Sequence, residues 1–136
     1  MKIWQGYGSE HSMNLVMIGH FKDAGSAVKA KELIDSFTEF VNAEVQDGEL
    51  EVGSPPQRFS ARMLEILRKT NTHILTASEL EQFAYDIKVR LDGEKVVLTT
   101  DESEVSAFLK LLIEGGARVE IYSAHAYPDT AYGRGK

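Results

Sequence analysis

The sequence predicts an α+β fold, a two-layer α/β sandwich of ferredoxin-like character whose elements follow the order β-β-α-(α)-β-β-α-β. Three observations predict it. Segments that alternate apolar and polar residues, as half-buried strands do, occur in both halves of the chain. Segments with apolar residues every three or four positions, typical of amphipathic helices, follow them. Elements of these two kinds pack as one sheet with its helices on one face.

The length and composition fit one domain. The chain has 136 residues, of which 43% are hydrophobic, enough to build a core without cross-links. We expect residues 1–125 to form a single α+β domain and residues 126–136 to form a mobile tail. This tail contains Pro128, Gly133 and Gly135 and has no hydrophobic periodicity, so we expect it to become ordered only on a partner.

The N-terminal part predicts two strands joined by an enlarged loop. Residues 2–7 alternate, and residues 8–12 are polar and contain glycine and serine, which favour a turn. Residues 14–21 are rich in apolar and β-branched residues and predict a buried strand. The first helix follows, with Asp23 or Ser26 as its cap. Its stripe at helical spacing contains Ala27, Ala30, Ile34, Phe37 and Val41, and it ends near Asp47-Gly48.

The middle of the chain predicts short elements. Pro55 and Pro56 indicate a loop, and the spacing of Phe59, Met63, Ile66 and Leu67 predicts a second helix. Residues 73–75 are interpreted as a short strand. The pattern Ser78-Glu79-Leu80-Glu81 matches a capping box with Ser78 as the cap, and predicts a helix through about residue 84.

The C-terminal part has the clearest pattern. Asp92-Gly93 lies between two β-type runs and predicts a hairpin. Residues 100–104 contain cap residues and acids suited to a helix start, and Gly115-Gly116 ends that helix. Residues 118–123 alternate and form the last predicted strand. The last helix therefore links two strands that we expect to be parallel.

The charge and composition exclude several classes of function. The net charge is −6, so the average field repels a phosphate backbone and nucleic acid is an unlikely partner. No cysteine is present, which excludes disulfides and thiolate metal sites. No apolar run is long enough for a signal peptide or a membrane span. We therefore expect a cytoplasmic protein without a membrane association.

The loop between the first two predicted strands contains the candidate site. Glu10 and His11 are the candidate catalytic residues, because histidine titrates near neutrality and a carboxylate can orient it. Tyr7, Ser9 and Ser12 are candidate ligand-binding residues beside them. The alternative is that both serines satisfy local backbone amides, with Glu10 and His11 in solvent.

Two further histidines extend this candidate site. His20 and His125 are candidate ligand-binding residues at strand ends, although His20 is also interpreted as a satisfied interior or rim histidine. If the strand termini meet, these residues, His11 and Glu10 could form an acid-base or metal cluster. No short metal-ligand spacing is present, so we predict no metal site and no cofactor.

The stretch Gly6-Tyr7-Gly8-Ser9-Glu10-His11-Ser12, followed by residues 14–19, resembles the opening of an uncharacterised family of small bacterial proteins. That resemblance implies no activity. Residues 19–24 with Ala27 are similar to the strand-to-helix joint of sporulation-related repeat domains. This second resemblance implies a ferredoxin-like fold and glycan binding, but the absent export signal argues against the glycan role.

The leading functional hypothesis is a non-catalytic binding or regulatory module that engages a protein partner, as an immunity protein, an antitoxin or an accessory subunit, and that forms a homodimer. Small size, acidic charge and the lack of standard catalytic motifs favour it. One alternative is a small enzyme that uses Glu10 and His11 on a small or nucleotide-like substrate. Another is a small-ligand sensor that binds through residues 6–12.

Overall fold

The computed structural model describes residues 15–102 and 104–123. In chain order the described elements are β1 (Leu15–His20), α1 (Ala24–Gln46), α2 (Ala61–Lys69), α3 (Ala77–Leu80), a 3₁₀ helix (Glu81–Ala84), β2 (Ile87–Asp92), β3 (Lys95–Thr100), α4 (Ser106–Glu114) and β4 (Arg118–Ser123). The α+β class is confirmed. The predicted first strand, its loop and the predicted tail lie outside the described residues.

The four described strands form one antiparallel sheet in the order β2-β3-β1-β4. Both β3 and β4 pair antiparallel with β1, on its two sides. They are therefore parallel to each other, as predicted for two strands joined by a helix. β2 and β3 form the predicted hairpin, in which Asp92 pairs with Lys95 across a two-residue turn. Gly93 begins this turn at φ 63°, which glycine adopts without strain.

Helix α1 forms as its stripe predicts. The side chain of Asp23 accepts a hydrogen bond of 2.7 Å from the backbone of Ser26, so Asp23 is the cap. The buried positions of α1 are Ala27, Ala30, Ile34, Phe37, Val41 and Glu44. The helix ends at Gln46, and Gly48 follows at φ 79°.

The helices cover one face of the sheet and form the main core with it. Phe83 lies between Phe37 and Phe108, with ring centroids 5.2 Å and 4.7 Å away. Gly19 of β1 allows α4 to approach closely, because a Cβ there would lie 3.2 Å from Leu112. The sheet contributes Met17, Val96 and Leu98 to this core, which also contains residues from every described helix.

Two predictions for the middle of the chain are wrong. The capping box at the start of α3 uses Thr76 and Glu79, not Ser78 and Glu81. Both pairs match the sequence pattern, but the carboxylate of Glu81 already accepts hydrogen bonds from the Tyr85 hydroxyl and the backbone of Gly53. The predicted strand at residues 73–75 does not form. Its apolar residue Leu75 is buried in the helical layer instead.

The predicted start of α4 is also wrong. The N-cap position of this helix is Val105, not one of residues 100–104 as predicted, and Val105 makes no side-chain cap hydrogen bond. The hydroxyl of Thr100 instead accepts from the backbone of Glu102 at 3.0 Å. The free amide of Ala107 donates to the side chain of Gln82 at 2.8 Å, so a distant residue caps α4.

Candidate functional site

The sheet face opposite the helices, here called the outer face, presents side chains in three rows. Antiparallel partners point to the same side of a sheet, and residues two apart on a strand share that side. From β2 to β4, the rows are Lys88, Thr99, Val16 and Tyr122; then Arg90, Val97, Ile18 and Glu120; then Asp92, Lys95, His20 and Arg118.

The outer face has a small apolar centre. Val16, Ile18 and Val97 are 5%, 7% and 4% exposed, and Tyr122 packs against them. No described helix contributes a residue to this cluster. The longer polar side chains around the centre are therefore the more exposed part of this face.

The rim of the outer face has the opposite charge to the whole chain. Its exposed ionic side chains are Lys88, Arg90, Lys95 and Arg118, with Asp92 and Glu120 as the carboxylates. Four cations against two carboxylates make this rim net positive, on a chain of net charge −6. The rim is not uniformly basic, because the carboxylate of Asp92 lies 3.8 Å from the guanidinium of Arg90.

The sequence could not decide which face His20 occupies, because β1 is apolar on both sides. The structure places it on the outer face, where its Nε2 lies 2.9 Å from the Oε1 atom of Glu120. The two side chains are 29% and 51% exposed, so this is a rim histidine. The hydrogen bond with His20 lowers the pKa of the Glu120 carboxyl, and the charges of His20 and Arg118 act in the same direction.

The other predicted site residues lie outside the described residues. These are Tyr7, Ser9, Glu10, His11, Ser12 and His125. The described strands give one constraint, since Leu15 and Ser123 are paired across β1 and β4. The chain enters β1 and leaves β4 at the same end of the sheet, while His20 lies at the opposite end of β1. The structure therefore does not place His20 beside this entry and exit point.

A group of acidic side chains lies at that same end of the sheet. The Tyr85 hydroxyl lies 2.8 Å from Oε1 of Glu81 and 3.1 Å from Oε1 of Glu104. Its single hydrogen can be donated to only one carboxylate at a time. Burial raises the pKa of Tyr85, and the two carboxylates raise it further. The second oxygen of Glu81 accepts a hydrogen bond of 2.7 Å from the backbone amide of Gly53, which anchors the loop between α1 and α2.

Glu102 belongs to this acidic group. Burial raises the pKa of its carboxyl, and the nearby charges of Asp101 and Asp86 raise it further. Sequence reasoning missed the group because its acidic members come from two separate segments, residues 81–86 and 101–104. The density of acids at residues 101–104 was the available signal.

A second polar network joins α3 to α4. The Ser106 hydroxyl donates to Glu79 at 2.7 Å and accepts from Gln82 at 3.1 Å, and Lys110 donates to Glu79 at 2.8 Å. Burial raises the pKa of Glu79, but hydrogen bonds from Lys110, Thr76 and Ser106 outweigh it, so the pKa is lowered. A hollow of about 630 Å³ adjoins this network. Since each of these groups has a partner, we interpret the network as structural: it holds α3 against α4.

A groove of about 560 Å³ lies between α1 and α2. Phe40 and Ile66 line it together with Arg62, which binds the buried carboxylate of Glu44 at 3.1 Å. The side chain of Arg62 is 61% exposed. Because it already pairs with a carboxylate, we interpret Arg62 as part of a solvated helix face.

Comparison with known proteins assigns the chain to a family. The model of a family of unknown function, DUF6375, matches residues 1–134. The chain belongs to this family. No curated protein and no solved structure matches it. The predicted membership in an uncharacterised family is thus confirmed.

Because the function of DUF6375 is unknown, membership in this family assigns no site. Within residues 15–102 and 104–123, no set of histidines and carboxylates is arranged to hold a metal ion. In the same residues, no helix has the length and apolar character that a membrane span requires. The outer face of this DUF6375 chain has a net positive rim, opposite in sign to the net charge of the whole chain. Sequence reasoning missed it as a unit, because its rows depend on the pairing of β1 with strands about 80 to 100 residues away.

Proposed function

We propose that the chain is a non-catalytic binding module that engages a protein partner through its outer face, as an immunity protein, an antitoxin or an accessory subunit does. The observation that carries this proposal is the apolar centre of Val16, Ile18 and Val97 inside a rim of mixed charge. Protein interfaces have this anatomy, with an apolar core and a polar rim. We propose the cytoplasm as its compartment and a homodimer as its assembly.

The mixed rim favours a protein over a nucleic acid. A face that follows a phosphate backbone is a continuous basic stripe. Here Asp92 and Glu120 interrupt the basic residues. The net charge of −6 also repels a polyanion before it reaches the face. Protein partners, in contrast, are selected by complementary patterns of both signs.

Site-specific photo-crosslinking tests the proposal in the native host. A crosslinking amino acid at Thr99, an exposed position of the outer face, is compared with one at Glu32, an exposed position of α1. We expect a discrete crosslinked protein from Thr99 and none from Glu32. A second copy of the chain counts as a partner. Equal products from both positions, or none from Thr99, would contradict the proposal.

We also propose that the fold is ferredoxin-like. The described elements follow the order β-α-β-β-α-β when the short helices between α1 and β2 are counted as an insertion. The sheet order β2-β3-β1-β4 supports this, because the two strands next to β1 come from the second half of the chain. An experimental structure of the full chain tests the topology, and a different strand order would contradict it.

One observation favours the enzyme alternative as a second candidate. Leu15 and Ser123 are paired across β1 and β4, and they are the described residues nearest in sequence to His11 and His125. In that candidate, Glu10 and His11 act as the acid-base pair on a small or nucleotide-like substrate. A panel of hydrolase and lyase substrates should then show turnover that Glu10→Gln and His11→Ala both abolish. Turnover that is equal in all three proteins would exclude these roles.

A further inference from the structure

We propose that the partner on the outer face is a second copy of this chain, packed face to face about a two-fold axis that runs parallel to the strands. The inference rests on the proposed function, because it names the partner of the same face. It goes further by specifying the axis and the pairs of residues that meet.

The axis follows from the strand order. Rotation about a line parallel to the strands, midway between β3 and β1, exchanges the two edges of the sheet. β2 then lies over the partner's β4, and β3 lies over the partner's β1. Each of the three rows is superposed on itself in reverse order. Packed sheets keep their strands within about 30° of each other, so this alignment is one that sheets adopt.

The charges are complementary in this arrangement. In the second row, Arg90 meets the partner's Glu120, and in the third row Asp92 meets the partner's Arg118. The symmetry produces each of these pairs twice. In the first row, Lys88 meets the aromatic ring of the partner's Tyr122, a favourable contact for a cation.

The centre of the face is complementary as well. Val97 meets the partner's Ile18, and Thr99 meets the partner's Val16. The remaining contact is Lys95 with the partner's His20.

The other face-to-face axis, perpendicular to the strands, gives less favourable contacts. It would place β2 over the partner's β2 and β4 over the partner's β4, with the rows reversed. Lys88 would then meet the partner's Asp92, a favourable pair, but Arg90 would meet the partner's Arg90, and Glu120 would meet the partner's Glu120. Like charges in contact in the middle row disfavour that arrangement. The charge pattern thus selects the axis parallel to the strands.

The size of the face sets the strength of the dimer. Four strands of six residues cover about 400 Å² per copy at the usual strand spacing. A stable interface of standard size buries about 800 Å² per partner. Because the apolar centre is already little exposed, charge pairs supply much of the attraction. We therefore expect a concentration-dependent dimer that salt weakens.

Analytical ultracentrifugation of the full chain tests this inference, at concentrations from about 1 µM to about 1 mM and in low and high salt. We expect a monomer-dimer equilibrium in the wild type. Arg90→Glu and Glu120→Arg should each weaken the dimer about tenfold. The double variant Arg90→Glu with Glu120→Arg should restore it, because both symmetric pairs are then reversed. Glu32→Arg, an exposed change on α1, is the matched control and should leave the dimer unchanged.

Circular dichroism shows that each variant is folded before its mass is interpreted, and the double variant keeps the test valid if one single variant unfolds. A monomer at every concentration would overturn the second copy as partner. A dimer that is insensitive to all the charge variants would overturn it as well, since it would use another surface. In either case, a different protein crosslinked to Thr99 would still support the proposed function.

Discussion

The two faces of the four-stranded sheet differ in what buries their apolar side chains. On the inner face, Met17 packs into a core to which every described helix contributes, with three phenylalanine rings in contact. On the outer face, the neighbouring residue Ile18 belongs to a cluster of three buried side chains and one tyrosine. Adjacent residues of β1 therefore face different environments, one in the helix-covered core and one on the face that we propose for recognition.

The largest expected effect separates the two faces by stability. Phe83→Ala should lower the free energy of unfolding by about 4 kcal/mol, because it leaves a large cavity between two rings. Val97→Ala, on the outer face, should cost about 1.5 kcal/mol, since it removes two methyl groups. Urea unfolding at low protein concentration measures both. Equal losses would mean that the outer cluster is as important to the fold as the inner core.

The comparison also shows how far the sequence predicts this molecule. The β2–β3 hairpin and α1 follow their patterns, because a turn residue or a cap within a few positions determines each. The caps of α3 and α4 were mispredicted for a different reason. Both Thr76 with Glu79 and Ser78 with Glu81 match the capping-box pattern. Gln82 caps α4 from a position 25 residues away in the sequence. Local patterns cannot distinguish such alternatives, because tertiary contacts decide between them.

The outer face could not be predicted from the sequence for a related reason. β1 is apolar at almost every position, and its residues 16–19 are buried on both sides of the strand, so its pattern does not assign His20 to a face. The basic and acidic residues of the rim come from three other strands. Their sum is visible only when the register is known. The candidate loop at residues 8–12, in contrast, was easy to find in sequence but is not among the described residues.

The corrected cap of α3 gives a second, smaller effect within the helical layer. Thr76→Ala should lower the free energy of unfolding by about 1 kcal/mol, because it removes the acceptor for the backbone amide of Glu79. Ser78→Ala is the matched control, since among the described residues the Ser78 hydroxyl is hydrogen-bonded to the Thr76 hydroxyl at an exposed position, and we expect almost no change. Chemical denaturation measures both variants. A larger loss for Ser78→Ala would restore the cap that the sequence pattern suggested.

The acidic end of the sheet gives a third effect with a defined pH dependence. The folded pKa of Glu102 is raised above the ordinary value near 4.5, so the ionised form is disfavoured in the folded chain. Its contribution therefore destabilises the fold as the pH rises through this range. Glu102→Gln should raise the melting temperature at neutral pH. The gain should disappear below the ordinary glutamate pKa, where the wild-type carboxyl is protonated in both states. Scanning calorimetry at several pH values checks this, and a gain that persists in acid would contradict it.

The smallest effect tests the polar rim of the outer face. The hydrogen bond from His20 lowers the pKa of Glu120, so His20→Ala should return that pKa toward the ordinary value near 4.5. His20→Gln, which can still donate a hydrogen bond, should give an intermediate value. Because the folded pKa is depressed, the pair stabilises the fold above the ordinary pKa, and this contribution is lost as the pH falls through the folded value. Carbon-detected NMR titration of the Glu120 carboxyl measures the pKa directly.

The same titration connects the rim to the proposed dimer. If Arg90 of a second copy meets Glu120, the pKa of Glu120 should fall further as the protein concentration rises, because a second cation then favours the ionised form. In Arg90→Glu this dependence on concentration should vanish, while the effect of His20 remains. A pKa that is lowered by His20 but is independent of concentration would assign Glu120 to the monomer alone. The outer face would then need a partner other than a second copy of the chain.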